Sequence, residues 1–131
     1  MPAPPLTPFG RAVRLLRLDR GWRAKEMATG IGVSSSFLSA VETGRKTPPE
    51  RLVARIIAWG ALTPEEARAV RAGYASTVEA LVLRIPATMS PEHRETAALL
   101  ARHFARLTSA DLAEIRERIV RRGLDAGGDP V

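Results

Sequence analysis

The 131-residue sequence predicts an all-α fold class: five short helices, then a short strand, then a C-terminal antiparallel helical hairpin. Three observations carry that expectation. Helix caps and glycine or proline stops punctuate the chain at Thr7-Pro8, Gly21, Gly32, Ser34, Gly44, Gly60, Thr63-Pro64, Ser90-Pro91 and Thr108. Between them, apolar residues recur three and four positions apart, the repeat of a single helix face. The sequence has no Cys, so disulfide staples, thiolate metal sites and Cys nucleophiles are excluded together.

The elements follow in order. Residues 1–8 hold four prolines and read as a flexible, extended arm. Thr7 caps a first helix with Pro8 at its opening position, Phe9, Val13 and Leu16 facing inward and Gly21 as its stop. A second helix over 25–30 carries Met27 and Ala28, with Ile31 just beyond, and Gly32 supplies the left-handed turn of a tight connection. Ser34 caps a third helix over 35–43, with Leu38 and Val41 inward and Gly44 as its end. A fourth helix over about 50–59 buries Leu52, Val53, Ile56 and Ile57 and stops at Gly60. Thr63-Pro64-Glu65-Glu66 opens a fifth, running to about Ala75 with Ala67, Val70 and Tyr74 inward.

Residues 77–85 read as a continued helix or a short strand. Pro86 and the run of Val, Leu and Ile favour the strand. Ser90-Pro91-Glu92 then opens a helix bearing Ala97, Leu100, Phe104 and Leu107. Thr108 and Asp111 open a last helix with Leu112, Ile115 and Ile119 inward, braced by the pairs Glu114/Arg118 and Glu117/Arg121. A connection of about two residues implies an antiparallel hairpin. The domain plan is an arm at 1–8, a first domain at 9–76, a dimerisation or interaction segment at 77–122 and a disordered tail at 123–131.

The charge distribution narrows the partner. Residues 1–60 hold ten Lys/Arg and four Asp/Glu, whereas residues 61–131 hold ten of each, so the net +6 belongs to the first part. A one-sided basic surface fits a polyanion, nucleic acid before membrane or acidic protein. No apolar stretch reaches the roughly 18 residues needed to cross a bilayer, and the proline-rich start lacks the basic flank and apolar core of a secretory signal. A cytoplasmic location with no membrane partner is the expectation.

Two short helices joined through a glycine turn, the second studded with serines and followed by Arg45-Lys46, have the geometry of a DNA-binding helix-turn-helix. The N-terminus at Ser34, Ser35 and Ser36 offers hydroxyls and free N–H groups suited to phosphates and base edges.

The residues Glu26, Ala28, Gly32-Val33-Ser34, Leu38-Ser39, Glu42 and Gly44, with Met27 at a position usually Leu, form a pattern that resembles the lambda-repressor and Cro-like helix-turn-helix regulators, also called the xenobiotic-response-element (XRE) type. The resemblance covers residues 9–75. It implies a five-helix bundle, a recognition helix in the major groove and a homodimeric transcriptional repressor on a pseudo-palindromic, double-stranded operator. Carried over, it puts Ser35, Ser36 and Ser39 at base edges, with Phe37 against thymine methyls or tucked inward. Ser34, Thr43, Arg45 and Lys46, together with Arg23 and Lys25, fall at phosphate-contacting positions. Arg17 and Glu42 match a partly buried structural ion pair. The family's better-known readers use Gln, Asn or Arg where this chain has Ser, so DNA shape and water should share the readout.

Other classes fare worse. There is no His-Glu-x-x-His, phosphate loop or Gly-x-Ser-x-Gly, and His93 and His103 lack carboxylates at ligand spacing, so neither an enzyme nor a metal or other cofactor is expected. A self-cleaving Ser-Lys dyad after the first domain is excluded because both lysines, Lys25 and Lys46, precede residue 61. The alternative regulator is an antitoxin type, binding DNA with the first domain and a protein partner through its C-terminal part.

Overall fold

The computed structural model describes residues 5–124, which divide into two compact units between Glu79 and Ala80. Residues 1–4 of the expected arm and 125–131 of the expected tail lie outside the described residues.

The first unit contains α1 (Pro8–Arg20), α2 (Ala24–Gly30), α3 (Ser35–Glu42), α4 (Glu50–Gly60) and α5 (Pro64–Thr77). Phe9, Val13, Met27, Leu38, Val41, Leu52, Ile56 and Val70 have their side chains fully buried in one core, with Trp22, Ile57, Trp59 and Tyr74 partly buried around it. Burying one such apolar side chain contributes about 1.5–3 kcal/mol. Phe9 meets Tyr74 edge to face at 6.2 Å. Partial burial pushes the Tyr74 hydroxyl pKa up.

The opening of α1 is tied at both ends of the unit. Thr7 Oγ1 accepts from Gly10 N–H at 3.0 Å, and Thr77 Oγ1, at the far end of α5, accepts from Phe9 N–H at 2.9 Å. These bonds satisfy two donors that a helix start leaves without intrahelical partners. Thr7 N–H also donates to the Glu42 carbonyl at 2.9 Å. Gly10 lies so near that carbonyl that an added methyl would overlap it. The missing side chain is what lets α1 lie directly on the end of α3.

The second unit holds an extended segment, α6 (Pro91–His103), a single 3-10 turn (Phe104–Arg106) and α7 (Ser109–Arg121). Two expectations change here. The strand over 77–85 is absent: Thr77 ends α5, and the chain beyond is extended without a sheet partner, there being no strand among the described residues. A strand is a pairing, and residues 79–85 make no backbone–backbone hydrogen bond among the described residues. The expected two-residue connection between the last two helices is also longer. The 3-10 turn and extended Leu107 lengthen the connection, and α6 and α7 make no extended contact with each other. Neither helix buries a residue: Leu99 of α6 is 57% exposed and Ile119 of α7 43%. Of the two acid–base pairs expected on α7, Glu117 with Arg121 forms at 2.5 Å. Glu114 with Arg118 does not form among the described residues.

Candidate nucleic-acid interface

The site is built around the turn between α2 and α3. Ile31 and Gly32 close α2, Gly32 at φ 78°, a left-handed conformation that costs a residue with a side chain roughly 1–2 kcal/mol. Val33 N–H returns to the Ala28 carbonyl at 2.9 Å, so three residues beyond the helix the chain is already redirected. Buried Met27, Ala28 and Ile31 on one side and Leu38 and Val41 on the other meet in the shared core and set how the two helices cross. Their other faces are left to solvent.

Ser34 has extended backbone angles, and its Oγ accepts from Phe37 N–H at 3.0 Å, the bond of an N-cap. Its Oγ also lies 3.3 Å from Ser36 Oγ. Ser34, Ser35, Ser36 and Ser39 are all exposed. The N–H groups of Ser35 and Ser36 find no partner among the described residues. The first turn of α3 therefore presents hydroxyls and free donors together, at the positive end of a helix dipole.

Phe37 is half-buried against the core, with the Lys46 ammonium 5.6 Å from its ring centroid, inside the range of a cation–π contact. The Phe37 side chain is therefore only partly exposed. At the other end of α3, Thr43 Oγ1 donates to the Ser39 carbonyl at 2.9 Å and accepts from Arg45 Nε at 3.4 Å, while Lys46 N–H donates to the Ala40 carbonyl at 3.1 Å. These bonds hold Arg45 and Lys46 beside the C-terminus of α3, both side chains exposed. Arg23 and Lys25, also exposed, lie at the start of α2. Glu26 accepts from Arg23 N–H at 3.2 Å and so steadies that start.

Two features have no local signal in the sequence. Arg55 of α4 reaches the turn and donates from Nη1 to the Ile31 carbonyl at 3.4 Å, adding an exposed cation beside Gly32. Arg20, at the end of α1, clamps Glu66 of α5 through Nε at 2.8 Å and Nη2 at 2.5 Å. Glu66 also accepts from Thr63 N–H in a capping box, and with the Arg20 hydrogen bonds as the larger cause its carboxyl pKa falls to about 2. The capping motif identifies Glu66 as a helix-start residue. It does not reveal the arginine arriving from 46 positions earlier.

Among the described residues no group of three or more His, Asp or Glu side chains is placed to hold a metal ion. His93 Nδ1 lies 2.6 Å from Ser90 Oγ, within the cap of α6. Among the described residues no helix is long and apolar enough to cross a membrane.

Residues 8–70 match the family model of a helix-turn-helix domain. Neither the curated proteins nor the solved structures provide a match. With the turn at Gly32, the crossing of α2 and α3 and the solvent-facing serines already in place, the geometry of residues 8–70 agrees with the helix-turn-helix domain whose family model they match.

Proposed function

We propose that the chain is a cytoplasmic, sequence-specific transcriptional regulator of the XRE, Cro-like type. It acts as a homodimeric repressor that sets residues 34–43 of each copy into successive major grooves about 34 Å apart. One observation carries this reading: the exposed serine edge of α3 is flanked by the exposed cations Arg23, Lys25, Arg45 and Lys46. Serines at base edges with cations on both sides divide the work in the ordinary way, phosphate contacts positioning the protein and base contacts selecting the sequence. Ser35, Ser36 and Ser39 select the bases and Phe37 contributes from its outward edge. Arg55 joins the phosphate-facing set.

Selection of bound sites from a random pool of double-stranded DNA tests the reading. A two-fold symmetric site with protected half-sites one helical turn apart is expected. Recovery of no preferred sequence would remove the regulator reading. The antitoxin alternative has one observation in its favour, the exposed apolar surface of the second unit, which suits any protein cover. The charges of α7 favour a second copy.

A further inference from the structure

Leu112, Ile115 and Ile119 recur along one side of α7, yet Ile115 is 37% and Ile119 43% exposed. The unit that contains them has no buried residue in either long helix. Helices of 13 residues are marginal in water when nothing packs on them. Units this small are commonly completed by oligomerisation. The stripe on α7 therefore calls for a cover, and charge indicates which.

Asp111 and Arg118 lie seven residues apart, two helical turns, on the same flank of the stripe. More broadly, Asp111 and Glu114 precede Ile115, whereas Arg116, Arg118, Arg121 and Arg122 follow it. Glu117, the acid in that second half, is engaged by Arg121 of its own helix. Arg118 has no ion-pair partner among the described residues. A second α7 laid antiparallel brings the acidic first half of each helix beside the basic second half of the other. A parallel copy sets like charges side by side, a costly arrangement.

We propose that a second copy of this chain covers α7. The two α7 helices pack antiparallel about a two-fold axis near Ile115, Leu112 of each beside Ile119 of the other and Asp111 of each facing Arg118 of the other. Two-fold symmetry makes every such contact twice. The proposal rests on the homodimeric reading above and adds the surface and its orientation.

The chain's lack of Cys makes single-cysteine cross-linking a direct test on the full-length protein. Under mild oxidation Ile115→Cys should form a disulfide-linked dimer. Leu112→Cys and Ile119→Cys should each stay unlinked alone and form a mixed disulfide when combined. In sedimentation equilibrium the unaltered chain should be dimeric, and Arg118→Glu should raise its dissociation constant roughly tenfold, with helix content by circular dichroism unchanged. Self-linking by Leu112→Cys and Ile119→Cys separately would establish a parallel pair and overturn the proposal. A monomeric unaltered chain would overturn it as well. A dimer that none of the three cysteines links and that ignores Arg118→Glu would overturn the α7 surface while leaving the dimeric regulator intact. Loss of sequence preference in the DNA selection would strike only the regulator reading.

Discussion

The Arg17 guanidinium grips the Glu42 carboxylate at two points, Nη1 to Oε2 at 2.7 Å and Nη2 to Oε1 at 2.9 Å, with both side chains at or below one-tenth exposure. Nη1 also points to Met27 Sδ at 3.8 Å. One ion pair thus joins α1 to the end of α3 and touches α2, the three helices whose relative placement presents the serine edge. Removing either partner leaves the other charge buried and unpaired, which costs about 3–5 kcal/mol. Urea unfolding of Arg17→Ala and Glu42→Ala should show losses of that size. The double variant Arg17→Met with Glu42→Leu should recover much of it, because the desolvation penalty disappears with the charges. Equal losses in single and double variants would contradict this account.

Gly10 should tolerate no side chain. A methyl there meets the backbone carbonyl of Glu42, which is held by Thr7 N–H at 2.9 Å and cannot yield as a flexible side chain would. Gly10→Ala should lower stability by about 1–3 kcal/mol, the usual cost of overpacking. The measurement is a thermal or urea melt, with Ala12→Gly as a comparison in the same helix. A Gly10→Ala protein as stable as the parent would show that α1 does not lie against α3 as described.

The Arg20–Glu66 clamp makes stability depend on acid. The Glu66 carboxyl pKa is lowered from 4.5 to about 2 by its bonds to Arg20 and Thr63, so the folded state holds the ionised form more tightly than the unfolded chain does. Its contribution is fully present above the ordinary value near 4.5 and is lost as pH falls toward about 2. The same hydrogen bonds raise the Arg20 pKa, which is without consequence in this range. Melting temperatures of the parent and Glu66→Gln should differ most at neutral pH and converge in that acid window. A difference that stays constant with pH would dissociate Glu66 from the effect.

Phosphate and base contacts should separate by their response to sequence and salt. Arg45→Ala should weaken binding to all duplexes alike and reduce the slope of log affinity against log salt by about 1. Ser35→Ala or Ser36→Ala should instead change which duplex is preferred, by about 1–3 kcal/mol at the base pair concerned. Titrations at several salt concentrations, on the selected site and on random DNA, distinguish the two patterns. Uniform loss for both kinds of variant would remove the division of labour.

Local chemistry was plain in the sequence. Thr7-Pro8, Ser34, Thr63-Pro64, Ser90-Pro91 and Thr108 all act as helix starts because a hydroxyl next to the first turn can always reach the backbone N–H two or three residues on. The buried faces of α1 to α4 followed from spacing, since the helix repeat alone decides which residues share a side. What spacing could not reveal was whether a face finds something to cover it. Ile115 and Ile119 recur as regularly as Val13 and Leu16, yet the former are exposed and the latter buried. Residues 77–85 carry strand-forming side chains, but a strand also needs a neighbour to pair with.

By itself, then, the sequence determined the helix starts, the apolar sides, the glycine turn at 32 and the concentration of positive charge in the first 60 residues, because each depends on neighbours within one or two turns. Tertiary structure decided the rest: Arg17 on Glu42, a pair that the family resemblance named but no local pattern dictates, Arg20 on Glu66, Arg55 at the Ile31 carbonyl, Thr77 at the start of α1 and Lys46 over Phe37. Apart from Lys46 and Phe37, which are joined across the end of α3, these partners stand 24 to 68 positions apart. Their meeting depends on how whole helices cross, and that crossing is set by the packing of the shared core rather than by any local run of residues.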